Sequence, residues 1–166
     1  MPAVQMQYGT EAQAITCTLA SLANNAARQS DVVDNNSNKF LDVLCTVRIT
    51  LANGGTIGNE KRVYVYAYGT VDAATPVYPD KVTGSDAAIT LDAPSQLKMI
   101  GVIECGAYVS ASVITFTMSP ASVASAFGGI MPQKWGIVVE NKTNIAFTSG
   151  EADKKKIYQG VKAESA

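Results

Sequence analysis

Leu41-Asp42-Val43-Leu44-Cys45-Thr46-Val47-Arg48-Ile49-Thr50-Leu51 decides the fold. Leu41, Val43, Cys45, Val47, Ile49 and Leu51 alternate with Asp42, Leu44, Thr46, Arg48 and Thr50. A period of two over this length is a long β-strand with one buried face. Asn53-Gly54-Gly55 follows, and Asn and Gly accept positive φ cheaply. The next run, Arg62 to Thr70, alternates Val63, Val65 and Ala67 with Tyr64, Tyr66 and Tyr68. The two runs are expected to form a hairpin, or to be neighbours across a somewhat longer loop.

Working outward, Ile15, Cys17 and Leu19 alternate with Thr16 and Thr18 and predict a first strand. Asn24 to Asn38 ends in Asp34-Asn35-Asn36-Ser37-Asn38 and reads as a surface loop. Asp72 to Asp86, with Pro76, Pro79 and Gly84, reads as a long ordered loop of the kind that often contacts a partner. Strands follow at Ala88 to Leu91, at Gln96 to Glu104 and at Tyr108 to Met118. In the second of these, Leu97, Met99 and Ile103 face one side, and Ile100 and Val102 the other. Ser119 is placed as the cap of one short helix over Ala121 to Phe127, with Pro120 at its first position and Gly128-Gly129 ending it. Trp135 to Glu140 is a strand, Asn141 to Asn144 a turn, and Ile145 to Thr148 a closing strand. Ser149-Gly150 marks the end of the core, with a short strand at Lys156 to Tyr158 and a frayed tail beyond it. The pattern gives an all-β chain of about seven or eight antiparallel strands: a β-sandwich, with a jelly roll or a barrel as variants. The organisation expected is an N-terminal arm at 1–12, a single sandwich domain at 13–148 and a C-terminal extension at 149–166.

Composition narrows the function. Charged residues make up only 16% of the chain and the net charge is -1, so no positive field exists to hold a nucleic-acid backbone. Lys154-Lys155-Lys156 lies beside Glu151 and Asp153 and reads as a solvated edge. Cys17, Cys45 and Cys105 are odd in number, far apart and in apolar stretches, which makes them buried free thiols. No signal peptide is expected from Met1-Pro2-Ala3-Val4-Gln5 and no apolar run is long enough to span a bilayer, so the expected setting is a reducing cytoplasm without membrane contact.

The chain contains no histidine, which removes Ser-His-Asp and Cys-His nucleophilic chemistry and imidazole metal ligation. Asp31, Asp34, Asp72, Asp80, Asp86 and Asp92 are scattered through predicted loops and are expected to cap turns. Glu104 and Glu140 are the candidates for a paired-carboxylate hydrolase, against the simpler reading of solvent-facing strand residues. No phosphate-binding glycine motif is present. No enzyme activity and no cofactor are expected.

Tyr64, Tyr66 and Tyr68 project from one face of one strand. Three readings compete for them: part of the core under a second layer, an interface with a protein, and a platform for a ligand such as a sugar.

Three stretches carry a family likeness: Val63-Tyr64-Val65-Tyr66-Ala67-Tyr68-Gly69-Thr70, Tyr78-Pro79-Asp80-Lys81-Val82-Thr83-Gly84, and Phe127-Gly128-Gly129 ahead of Trp135-Gly136-Ile137-Val138-Val139-Glu140-Asn141. In texture and segment order they resemble small β-sandwich virion proteins of tailed bacteriophages. Some such proteins decorate or cement the capsid shell. The resemblance runs from the first strand to about Thr148 and supplies no functional residues. It implies a non-enzymatic protein made in the host cytoplasm and carried on the capsid surface. Its partner would be the major capsid protein, whose neighbouring subunits it would bridge, acting as a homo-oligomer. The alternative is a tail or fibre component that binds host-surface carbohydrate. Interface candidates are the N-terminal arm around Val4 to Tyr8, the tyrosine row Tyr64, Tyr66 and Tyr68, and the Pro-rich loop through Tyr78.

Overall fold

A computed structural model of the chain describes residues 4–9, 11–58, 60–106 and 113–165. In chain order the elements are β1 (Val4–Tyr8), β2 (Gln13–Ala14), β3 (Ala27–Gln29), β4 (Val33–Asp34), α1 (Asn35–Asn38), β5 (Asp42–Leu51), β6 (Arg62–Thr70) and β7 (Ala87–Ile89). A 3₁₀ turn at Pro94–Gln96 precedes β8 (Lys98–Glu104), β9 (Ile114–Thr117), β10 (Ala121–Ser122), α2 (Val123–Ala126), β11 (Lys134–Lys142) and β12 (Lys155–Ser165).

These strands make two antiparallel sheets. In the first, the order is β1-β12-β5-β10, with β2 also on β12 and β9 also on β5. In the second it is β7-β3-β11-β6-β8, with β4 also on β11. Three pairs of consecutive short strands lie on a shared neighbour and act as single interrupted strands: β1 with β2, β3 with β4, and β9 with β10. Counted this way, with β7 as an added edge, the main strands run 1-8-3-6 in one sheet and 2-7-4-5 in the other. That is the strand order of a jelly roll, the narrower of the sandwich expectations.

The core lies between the sheets. Val43, Cys45, Val47, Ile49 and Leu51 from β5 meet Val63, Val65 and Ala67 from β6 and Trp135, Ile137 and Val139 from β11. The alternation in β5 and β6 is therefore realised, yet the two strands do not form a hairpin. They belong to different sheets, and residues 52–61 cross from one to the other. Turn residues show that the chain reverses, and the ten residues between the strands let it do so across the end of the sandwich. Ile57 is buried in that crossing, and Leu51 bridges Phe147.

Other expectations shift for local reasons. Ile15, Cys17 and Leu19 are buried but lie outside any ladder. Ile15 donates to Lys156 O of the first sheet, and Thr16 O accepts from Asp31 N beside the second, so the segment passes between sheets. The expected loop at 24–38 contains β3, β4 and α1. In α1, Asp34 caps one helical turn by accepting from Asn36 N and Ser37 N. The cap of α2 is Ser122, which accepts from Ser125 N, and not Ser119; Gly128 and Gly129 then leave the helix at positive φ. In β8 a bulge at Ile100 breaks the alternation, because Val65 pairs with Gly101 while Tyr66 pairs with Met99. Leu97 and Ile103 consequently pack on opposite faces of the sheet. The expected strand at Tyr108 to Met118 is seen as Ile114–Thr117, and 107–112 lie outside the described residues. Ile145 to Thr148 contributes a single bridge and no strand.

The largest change concerns the C-terminal extension. Lys155–Ser165 is an 11-residue strand between β1 and β5, where a short strand and a tail were expected. Lys154 is buried: its Nζ donates to Thr148 Oγ1 at 2.7 Å, to Asp153 Oδ1 at 2.8 Å and to the Gly150 carbonyl. Lys156 pairs with Glu151. The lysine cluster is thus an internal clasp at the start of β12, and only Lys155 of the three faces water.

Candidate functional site

The outward faces of the two sheets are treated differently by the chain. On the second sheet, Ala27, Tyr66, Tyr68 and Val138 are covered by Val82 and Leu97, with Tyr78, Ile89 and Leu91 packed alongside. All five covering residues come from the chain between β6 and β8. Gln29 and Thr83 hold this cover reciprocally, Gln29 Nε2 donating to Thr83 Oγ1 at 2.6 Å and Thr83 N to Gln29 Oε1 at 2.9 Å. Asp86 is the second anchor. It accepts from Thr18 N at 3.1 Å, from Thr18 Oγ1 at 2.6 Å and from Arg28 Nε at 2.5 Å.

This cover assigns the tyrosine row. Tyr68 is fully buried, donates to the Ser30 carbonyl at 2.8 Å and meets the Tyr78 ring edge-on at 5.1 Å. Tyr66 donates to Glu140 Oε2 at 3.2 Å and stacks on Tyr64 at 6.2 Å. Burial, with the Glu140 carboxylate beside it, pushes the Tyr66 hydroxyl up, and burial does the same for Tyr68. Tyr64 and Tyr78 are half-buried. The row is the underside of a second layer, with Tyr64 half-buried at its edge.

No equivalent layer covers the first sheet among the described residues. β12 pairs with β5 from Lys155 to Val161, and with β1 from Val161 to Ser165. Beyond Val161, therefore, β1 and β12 continue as a two-stranded ribbon past the start of β5. Tyr158 lies opposite Cys45 and Gly160 opposite Val43, so the even positions of β12 face inward and the odd positions outward. On the ribbon, Val4 stands opposite Ser165, Met6 opposite Ala163 and Tyr8 opposite Val161. These form an apolar row that continues the outer face of the sheet. Gln5 opposite Glu164 and Gln7 opposite Lys162 form the polar row on the other side, with a Lys162–Glu164 ion pair at 2.6 Å. Both rows of β1 are exposed, and in the apolar one Val4, Met6 and Tyr8 are 74%, 64% and 65% exposed. Toward the sheet centre the row runs to a shallow hollow of about 210 Å³ lined by Leu44, Thr46, Pro120, Ile157 and Ala12.

Of the residues singled out from sequence, Val4 and Tyr8 are brought together here, whereas Tyr64, Tyr66, Tyr68 and Tyr78 gather under the cover. Met6 lies within the expected arm, while Val161, Ala163, Leu44 and Ile157 complete the face from outside it. The signal for β1 was the period-two run Val4-Gln5-Met6-Gln7-Tyr8, which is a strand pattern inside what reads as an arm.

The acidic residues have structural tasks. Asp34 caps α1, Asp72 accepts from Ala74 N and Thr75 N, Asp80 from Asp92 N and Ala93 N, and Asp31 from Asp86 N. Asp92 pairs with Lys81. Glu104 pairs with Arg62 at 2.7 Å and lies exposed. Glu140 is buried, contrary to the expectation of a solvent-facing residue, and pairs with Lys142 at 3.1 Å. β6 separates the strands of Glu104 and Glu140, which sets their backbones roughly 10 Å apart or more. All three cysteines are buried free thiols, and burial pushes each up to about 12. Among the described residues no cluster of three His, Cys, Asp or Glu side chains is placed to hold a metal, and no helix is long and apolar enough to cross a membrane. Comparison with protein-family models, with curated proteins and with solved structures finds no match to this chain.

Proposed function

We propose that this chain is a non-catalytic virion component of a tailed phage that decorates the capsid, docking through the outer face of its first sheet and the β1–β12 ribbon. The observation that carries the reading is the uncovered apolar row Val4, Met6 and Tyr8 on a ribbon that projects beyond its own core. An isolated two-stranded ribbon is marginal in water, and an apolar row with no cover of its own marks an interaction surface. The resemblance in segment texture to phage decoration proteins supplies the identity of the partner, the major capsid protein.

The ribbon is roughly 17 Å long, so the contact made by one copy is small beside the ~800 Å² per partner of a standard interface. Binding in many copies to a repeating lattice compensates for weak single contacts. The test is cryo-EM of purified virions of the encoding phage. Density for the jelly roll is expected on the shell, ribbon inward. A shell without that density, in virions that carry the chain elsewhere or lack it, removes the reading. Met6→Asp should abolish co-sedimentation with shells while leaving the far-UV circular dichroism unchanged.

A further inference from the structure

We infer that β1 is the seam of a symmetric homodimer, in which two copies of this chain pair edge to edge, antiparallel, about a twofold axis at Met6. The argument begins with the main chain. Gly9 N donates to Gly160 O at 2.8 Å, and Leu41 N donates to Val161 O at 2.8 Å on the other side of β12. In an antiparallel ladder, successive residues direct their N–H and C=O groups to opposite sides. Gln5 and Gln7 therefore bond to β12, as Gly9 does, and the main-chain groups of Val4, Met6 and Tyr8 point away from it. β1 pairs only with β12 among the described residues, so these groups form an open edge.

Natural edge strands carry charge, proline or a bulge to prevent such pairing. Val4-Gln5-Met6-Gln7-Tyr8 carries none of them. The strand is also self-complementary. A twofold at Met6 sets Val4 opposite the second copy's Tyr8 and Gln5 opposite its Gln7, with Met6 facing itself. Apolar meets apolar on one face, and amide meets amide on the other, where each Gln can both donate and accept. No charge is set against a like charge. A closed, isologous pairing follows, with residue i meeting j and j meeting i. The two marginal ribbons become one four-stranded sheet, above the three strands needed for independent stability. The occupant of the edge is thus a second copy of this chain. The inference does not depend on the capsid reading.

Sedimentation equilibrium of the full chain over a concentration series tests it. The weight-average mass is expected to rise from 17.4 kDa toward twice that value. Met6→Pro removes the central outward N–H without touching the β12 ladder, and proline is tolerated on edges in that orientation. Met6→Lys places like charges across the seam. Both should hold the mass at one chain, with far-UV circular dichroism confirming the fold. Register is read by crosslinking. The two Met6 positions lie at a Cα separation of about 5.5 Å, within disulfide reach. The two Tyr8 positions lie four residues out of step, roughly 14 Å apart. With oxidised glutathione, the Met6→Cys chain should form a covalent dimer at least tenfold faster than the Tyr8→Cys chain; the native thiols are buried and do not compete. A mass fixed at one chain with equal crosslinking at both positions overturns the inference. So does a dimer that both Met6→Pro and Met6→Lys leave intact. A chain that dimerises this way but leaves shells undecorated upholds the seam and removes the capsid reading.

Discussion

Replacing Asp86 by alanine should destabilise the protein by ~3 kcal/mol at pH 7. Asp86 ties Thr18, on the crossing segment, and Arg28, on β3, to the cover over the second sheet. Hydrogen bonds to charged groups contribute ~1.5–3 kcal/mol each. The lower end applies to Thr18, which lies at the surface and regains water. Removing one partner of a fully buried ion pair costs ~3–5 kcal/mol. Arg28 keeps 25% of its side chain exposed and can rehydrate, so that cost is reduced here. The sum falls at ~2–4 kcal/mol, read as the shift in urea-unfolding free energy. The effect has a pH signature. Burial alone would raise the Asp86 carboxyl, but the hydrogen bonds from Arg28 and Thr18 outweigh it and hold the group below its ordinary value. A depressed folded value means that this stability is fully present above the unfolded value of ~3.9 and is lost as pH falls through the folded one. The gap between wild type and Asp86→Ala should therefore be constant from pH 7 to pH 5 and shrink below about pH 4. The depressed carboxyls of Asp34, Asp72 and Asp153 are common to both proteins and cancel in the difference. A gap below ~1 kcal/mol at pH 7, or one that stays constant down to pH 2.5, would refute Asp86 as the anchor of the cover.

Tyr68→Phe should cost ~1–2 kcal/mol, because the Ser30 carbonyl loses its buried hydroxyl donor; a neutral result in urea unfolding would mean that this hydroxyl serves something other than the fold. Gly160→Ala should cost ~1–3 kcal/mol, since its Cβ would lie 2.3 Å from the Phe40 ring, whereas Gly150→Ala, whose nearest neighbour is Asp153 Oδ1 at 3.9 Å, should unfold at the wild-type midpoint.

Legibility followed the burial of single faces. β5 and β11 declare themselves because their inward residues meet one apolar core, and alternation or a continuous apolar run records that directly. β3 leaves no such record. Ala27 and Gln29 are its buried residues, and Gln29 is satisfied by Thr83, a contact 54 positions away. The faces of β8 were misread because one bulged residue reverses every parity beyond it. In β12 the inward face is not consistently apolar on either side of Gly160. Inward positions before it are Lys156 and Tyr158, and after it Lys162 and Glu164, where the core has ended. At Gly160 itself the Phe40 ring takes the space a side chain would fill. The buried Lys154 is invisible for a related reason. A run of three lysines reads as solvated, and only the fold brings Thr148 and the Gly150 carbonyl to its ammonium. At the candidate site, the residues of β1 could be read as a strand, but the partner that makes it a ribbon could not. That partner lies more than 150 positions away in the chain.

The contrast between the two outer faces bears on what the ribbon is for. The chain commits the long connection between β6 and β8 to covering the tyrosine face and fixes it with a carboxylate, a glutamine and a threonine. It has the means to bury an apolar face, and on the second sheet it uses them. On the first sheet Val4, Met6 and Tyr8 stay in water. Each such side chain would contribute roughly 1.5–3 kcal/mol on going from full exposure to full burial, and about two-thirds of each is still exposed, so the row holds back about 3–6 kcal/mol of hydrophobic stabilisation. Association itself costs at least ~4 kcal/mol, which leaves a single copy with a weak hold on any partner. Joining two ribbons at β1 doubles the row without adding a residue, and a lattice of capsid subunits would multiply it again. On these two proposals the same five-residue strand would serve two surfaces at right angles, its edge pairing with a second copy and its face meeting the shell.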